Sequence, residues 1–202
     1  MSIPPKRGRP RGFDEAVALA EASGVFLRRG YSATSLDDIS AATGLKRSSL
    51  YATFGDKQSL YLQALDSYLR DLSEGLDGAF SAEGSLRDKL LRFFDGALES
   101  YFRSERGEGC LVLATAPAEA LSDAAVNERL RQVTEGVETA IARHLKAARD
   151  LSPQTSPKVL AQLIAAVLHS LALRVRAGTS RREAQAFCRA AVDALVSTAA
   201  RR

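Results

Sequence analysis

The feature that most constrains this chain is a helical period running almost without pause from Phe13 to the last residues. Glycine, proline and capping residues cut it into lengths. Apolar side chains recur three and four positions apart, Ala, Leu, Glu and Arg dominate, and clean two-residue alternation is absent. Such a chain builds a core only by packing amphipathic helices against one another, so an all-α fold of about nine helices is expected. The sequence LVLA at 111–114 could pass for a strand, but the Thr115-Ala116-Pro117 that follows favours a short buried helix. With 202 residues, 46% of them hydrophobic, the chain can bury a core without staples and is too apolar for disorder. Two cysteines are no disulfide scaffold. The longest unbroken apolar run, residues 163–168, is far shorter than a bilayer span, and no apolar segment follows the basic N-terminus as in a signal peptide. A cytoplasmic protein without a membrane partner is expected.

The helix boundaries are legible from their punctuation. A first helix is expected over about Asp14–Arg29, with Val17, Ala20, Phe26 and Leu27 turned inward and Gly30 as a left-handed stop. Ser35 or Thr34 caps a second helix, with Asp37 or Asp38 completing a capping box, and this helix ends at Gly44. A short third helix covers about Arg47–Thr53. Asp56 caps a fourth that weakens near Gly75 and Gly78, and a break falls at 81–85. Further helices are expected over about Leu86–Arg103, Asp123–Arg149, Pro157–Ala177 and Ser180–Ala199. The first and second of these are separated by a turn at 106–109 and the short piece around Cys110.

Residues 34–54, TSLDDISAATGLKRSSLYATF, place two short helices either side of a tight turn at Gly44, with Ile39, Leu45 and Leu50 spaced to bury between them. This is a helix-turn-helix arrangement, in which the second helix enters the major groove of DNA. That helix opens with Lys46, Arg47, Ser48 and Ser49. Its cations, first-turn amides and dipole favour phosphate, and its short side chains permit close approach. Tyr51 lies one turn further on, within reach of a phosphate or a base edge.

The longer stretch GYSATSLDDISAATGLKRSSLYATFGDKQSLYLQAL, residues 30–65, resembles the DNA-binding region of the TetR family of bacterial transcriptional repressors. The residues that carry the resemblance are Gly30-Tyr31, Thr34, Ile39, Gly44-Leu45, Leu50-Tyr51, Phe54, Lys57 and Leu60. GEGCLVLATAPAE at 107–119 is similar to a Gly-Cys-Leu segment of some members. The resemblance implies that Thr34 and Ser35 meet phosphate, that Arg47, Ser48 and Ser49 open the recognition helix, and that Tyr51, Ala52 and Thr53 occupy its exposed middle and end. It also implies that Lys57 holds a backbone phosphate. Lys46 departs from the usual hydroxyl cap of that helix, Thr53 from an aromatic and Ala52 from a frequent His, so base readout shifts toward Arg47 and Tyr51.

Three prolines, four cations and no acid set residues 1–12 apart as a basic arm, and the resemblance implies a three-helix helix-turn-helix head at 13–56 and a helical ligand-binding and dimerisation body at 57–202. Four of the chain's 28 cations, Lys6, Arg7, Arg9 and Arg11, fall in the arm against no acid, which leaves 24 of each sign elsewhere; the whole net charge of +4 is there. Its Arg-Gly-Arg-Pro core is like that of AT-hook segments, which lie in the minor groove, where narrow A·T tracts attract arginine. The helix at 157–177 is apolar over more than one face, which fits burial on two sides. Leu160, Ile164, Val167, Leu168 and Leu171, with Phe187, Ala191 and Leu195 on the last helix, are therefore expected to form a symmetric dimer interface. A pocket for an apolar small-molecule effector is expected among Phe93, Phe94, Leu98, Tyr101, Phe102, Cys110, Leu113 and Thr115.

No cofactor and no metal site is expected, because Cys110, Cys188, His144 and His169 lack zinc-ligand spacing. No catalytic constellation can be assembled either, so the chain is not expected to be an enzyme. The expected function is a homodimeric, sequence-specific regulator, a repressor released from a palindromic DNA operator by its ligand. The alternatives are an architectural DNA-binding protein without ligand control, and a helical enzyme or interaction module whose head is vestigial.

Overall fold

The computed structural model describes residues 13–104, 107–148 and 151–199. The arm, with Arg7, Arg9 and Arg11, lies outside the described residues, as do residues 105–106 and 149–150.

Among the described residues the chain forms nine α-helices and no strand: α1 (Glu15–Arg29), α2 (Leu36–Thr43), α3 (Arg47–Phe54), α4 (Lys57–Ser81), α5 (Leu86–Tyr101), α6 (Leu111–Glu119), α7 (Ala124–Ala147), α8 (Pro157–Arg176) and α9 (Arg181–Ala199). Their starts are set by side chains that accept from otherwise orphaned first-turn amides. Asp14 accepts from Ala16 and Val17, Asp56 from Ser59, Asp123 from Ala125 and Val126, and Ser156 from Val159, with Pro157 in the first turn of α8. Ser35 with Asp38, and Ser85 with Asp88, form reciprocal capping boxes. Gly44 ends α2 in the left-handed conformation, at φ 69° and ψ 6°. Gly30 also has a positive φ, 82°, but its ψ of 164° sends the chain out extended rather than left-handed.

The head forms where α1 and α2 pack on each other, α3 packs on α2, and α1 and α3 pack on α4. Phe26, Ile39 and Leu50 are fully buried there, with Phe54 behind them. Each such side chain contributes roughly 1.5–3 kcal/mol by leaving water. On α1 the buried face is Ala18, Leu19, Ala22, Val25 and Phe26; Val17 is 58% exposed and Ala20 is also exposed. The expectation for those two positions is off by about one residue, because the apolar stripe of α1 is wide and its alanines give no directional signal.

The body joins α4 to α5 and α7, α5 to α9, and α8 to both α7 and α9. Its core runs without interruption from the head, through Leu60, Tyr61 and Leu65 of α4 to Ile164, Leu168 and Leu171 of α8. The short piece after Cys110 is the helix α6, packed against α7, α1 and α8. α8 is long and apolar enough to cross a membrane by length and composition, which the length of the unbroken apolar run does not reveal because His169 interrupts it. Here it lies among other helices with Leu160, Ala161, Ile164, Ala165, Leu168, Leu171, Ala172 and Val175 buried.

Candidate nucleic-acid interface

The recognition helix α3 is held from behind. Leu50 and Phe54 enter the core, and Ser40 of α2 donates its hydroxyl to the Leu45 carbonyl, tying the turn to the preceding helix. What remains outside is a polar, basic surface: Lys46, Arg47, Ser48, Tyr51 and Ala52 are exposed, and Ser49 and Thr53 are half-buried. Tyr51 stands 54% exposed, unusual for a ring of that size and suited to contact with another surface. The position before α3 is Lys46, which makes no side-chain cap, so the first turn presents its amides together with the Lys46 and Arg47 charges. An anion is the natural partner of that combination.

Two carboxylates at the start of α2 organise the neighbouring cations. Asp38 accepts from the Ser35 amide and hydroxyl and from Arg29 at 2.5 Å. The Ser35 hydrogen bonds and the Arg29 charge hold its carboxyl below the ordinary range. Asp37 accepts from Arg47 through Nε and one terminal nitrogen, side-on, on the exposed side of the motif.

Thr34 and Lys57 sit deeper than a phosphate contact suggests. Thr34 is 2% exposed, and its hydroxyl donates to the Gly30 carbonyl at 2.6 Å. Its side chain therefore closes the α1–α2 turn instead of facing solvent. Lys57 donates from Nζ to the Tyr31 and Thr34 carbonyls, 3.0 Å each, with the ammonium 4.3 Å from the Tyr31 ring centroid. The lysine staples α4 to that turn and keeps one N–H for another acceptor.

Head and body meet through specific polar contacts. Ser32 donates to Glu119 at the end of α6 at 2.7 Å, and Gln58 donates to Asp123 before α7. Arg176 of α8 reaches the Leu27 carbonyl at 3.0 Å and the Glu108 carbonyl at 3.2 Å. Inside, Thr115 gives its only hydroxyl proton to the Leu111 carbonyl, so Tyr61 must donate to the Thr115 oxygen at 2.7 Å. Burial pushes the Tyr61 phenol up to about 12, so it remains a neutral donor.

In the body, a cavity of about 330 Å³ opens between α4 and α5, lined by Tyr68, Leu72, Gly75, Phe93, Gly96, Ala97 and Tyr101, with Asp71, Glu99 and Arg103 at its rim. Leu72 and Phe93 also line an apolar space of about 220 Å³ against α7. Of the expected pocket residues, Phe93 and Tyr101 face this cavity. Phe94 and Leu98 are buried elsewhere in the core, and Thr115 belongs to the Tyr61 pair. Phe102 lies beside Gly107 and under the Arg181 guanidinium; neither it nor Leu113 reaches the cavity wall. The reason is that the single apolar stripe of α5 is wide enough to pack against α4, α8 and α9 at once, so sequence cannot tell which of its apolar positions face the gap. Cys110 is buried against Tyr68, and burial pushes its thiol up, away from the reactive thiolate form.

The expected dimer face also divides. Leu160, Ile164, Leu168 and Leu171 are buried within the protomer. The opposite stripe of α8 carries Val159 and Leu163, about half exposed, then Val167 and Leu173. On α9, Phe187, Ala191 and Leu195 are half-buried, and Arg174 of α8 covers the Phe187 ring. No group of three or more metal-binding side chains occurs among the described residues.

Comparison with known proteins places this geometry in a family. Residues 18–64 match the family described as bacterial regulatory proteins, tetR family, and residues 87–191 match the tetracyclin repressor-like C-terminal domain. The chain is 30% identical to the uncharacterized HTH-type transcriptional regulator YezE of Bacillus subtilis (strain 168), over 71% of this chain and 74% of that one. It is 27% identical to the HTH-type transcriptional repressor ComR of Escherichia coli (strain K12), over 86% and 85%. Among solved structures, a cysteine mutant of the TetR family transcriptional regulator CifR complexed with 26-base-pair operator DNA superposes with a TM-score of 0.81 at 28% identity. That match covers 92% of this chain and 99% of that one.

Proposed function

The chain belongs to the tetR family of bacterial regulatory proteins and is a DNA-binding transcriptional regulator, and we propose that it acts as a homodimeric repressor released from its operator by a small molecule. The observation that carries this reading is the split character of α3, whose back is sealed into the core while its front presents Lys46, Arg47, Ser48 and Tyr51 to solvent. In the dimer, two such helices meet half-sites about 34 Å, or a multiple, apart on one face of a palindromic operator. Ser49, Thr53 and the free N–H of Lys57 meet phosphates, whereas Ser35 gives both its donors to Asp38; the arm residues Arg7, Arg9 and Arg11 enter the flanking minor groove.

The stripe of Val159, Leu163, Val167 and Leu173, with Phe187, Ala191 and Leu195, supports a four-helix interface between two copies. The α4–α5 cavity supports an effector with an apolar body and a polar end at the Asp71–Glu99–Arg103 rim. α4 forms one cavity wall and carries Lys57, Gln58 and Tyr61 at its other end. An effector that binds better to one tilt of α4 therefore shifts the spacing of the two heads. Genome-wide footprinting, repeated with a panel of small molecules, tests the reading. Discrete palindromic footprints that one compound class removes are expected; weak protection spread over all sequences contradicts specific repression.

A further inference from the structure

The ion pair between α2 and α3 is exposed, and its structural contribution is small: a surface bridge between two helices and a carboxylate in the first turn of α2. Both partners lie on the surface, where such pairs contribute little to stability. Asp38, its neighbour, already completes the capping box and pairs with Arg29. Asp37 nonetheless places a carboxylate, paired with Arg47, on the face that meets a polyanion, which costs DNA affinity unless the pair has a use there.

The atoms of the pair indicate that use. Arginine has five N–H donors in a rigid planar fork. Asp37 takes the Nε–H and one N–H of the second terminal nitrogen. Three N–H groups remain, and two of them, one on each terminal nitrogen, lie parallel at the far end of the plane. That end-on pair matches the O6 and N7 acceptors of guanine in the major groove, the commonest base-specific arginine contact. Gripping the guanidinium side-on also narrows the rotamers it samples before DNA arrives, lowering the entropic cost of binding.

We propose that Asp37 is a positioning residue that orients Arg47 for bidentate reading of a guanine, making the pair a specificity determinant of this operator. The inference rests on the DNA-binding reading above and reaches beyond it to a base identity and a second-helix residue that touches no base.

The test is selection of binding sites from a randomised duplex library with the full chain, repeated for Arg47→Ala, Asp37→Ala and Asp37→Ser, the last because serine suits a helix first turn. The wild type is expected to select guanine at one symmetric column of each half-site. All three variants lose that preference, on the order of tenfold, at that column and no other, with melting temperatures close to wild type. Replacing this guanine by 7-deazaguanine, which lacks the N7 acceptor, costs the wild type about tenfold and the variants little. The assignment is overturned if the Asp37 variants keep the guanine preference, change a different column, or bind all duplexes more tightly with preferences intact. In that last case Asp37 competes with DNA for Arg47 instead of orienting it. A wild type that selects no consensus overturns the DNA-reading premise itself, a separate outcome.

Discussion

Gly109 sits where no side chain fits. Its φ is +73°, and an added Cβ would lie 2.6 Å from the Ala172 carbonyl oxygen, in backbone that cannot step aside. Gly109→Ala is expected to destabilise the protein by roughly 2–3 kcal/mol, read as a lower urea midpoint. Tyr61→Phe removes the donor to Thr115 while leaving the ring in place, and is expected to cost about 1 kcal/mol by the same measurement. Residues with local partners are the legible ones. Asp56 announces its cap within three positions and the structure uses it as expected; of the candidates Ser35 or Thr34 and Asp37 or Asp38 it selects Ser35 with Asp38, and it makes Asp14 a cap rather than the first residue of α1. The Tyr61–Thr115 pair and the Arg176 contacts to Leu27 and Glu108 are not legible, because their members meet only after the helices pack. Thr34 misleads for a related reason. A hydroxyl before a helix suits a cap or a phosphate equally, and only the fold shows it turned toward Gly30.

At the scale of the element, helix starts govern behaviour in acid. Asp38, Asp88 and Glu183 each accept from a serine hydroxyl and amide, and Asp56 accepts from the Ser59 amide; these hydrogen bonds hold all four carboxyls below their ordinary range. Because the folded values are depressed, this stabilisation is complete above the unfolded carboxylate range near pH 4 and disappears as pH falls through the folded values. Thermal midpoints are therefore expected to fall steeply below about pH 4, and the double variant Asp38→Asn with Asp88→Asn to lower the neutral-pH midpoint and flatten that decline. The α4–α5 cavity gives a second element-scale expectation. A Cβ at Gly96 meets open space, and the residue lies inside a helix at ordinary dihedrals. Gly96→Leu fills the cavity and improves helix propensity by roughly 0.5–1 kcal/mol. It is expected to raise the melting temperature, keep DNA affinity and abolish effector response; a retained response would place the effector elsewhere. Helix number and order are readable because each boundary carries its own chemistry. Which neighbour each part of the wide apolar stripe of α5 meets, and which side of the two-faced α8 turns inward, is not, since sequence ranks apolarity without assigning a partner.

At the scale of the whole molecule, α8 shows how a sound rule can leave the choice of face open. Apolarity on two faces calls for two partners. Of the α8 residues expected to meet a second copy, Leu160, Ile164, Leu168 and Leu171 are buried by the protomer itself, and Val167 lies with Val159 and Leu163 on the stripe left open. Leu163→Arg is accordingly expected to yield folded monomers in sedimentation velocity and to weaken operator binding by on the order of a hundredfold, because the two heads no longer bind as a linked pair. Removal of residues 1–12, which hold the entire net charge, is expected to leave fold and dimer intact. It flattens the salt dependence of DNA binding by roughly 0.9 log units for each cation that no longer meets a phosphate. The most direct measurement compares affinity for the selected operator with affinity for a scrambled duplex of equal length and composition, at physiological salt. A specific regulator of this kind is expected to show a ratio of roughly 10³ or more that collapses for Tyr51→Ala and Arg47→Ala; a wild-type ratio near one would contradict sequence-specific binding by this head.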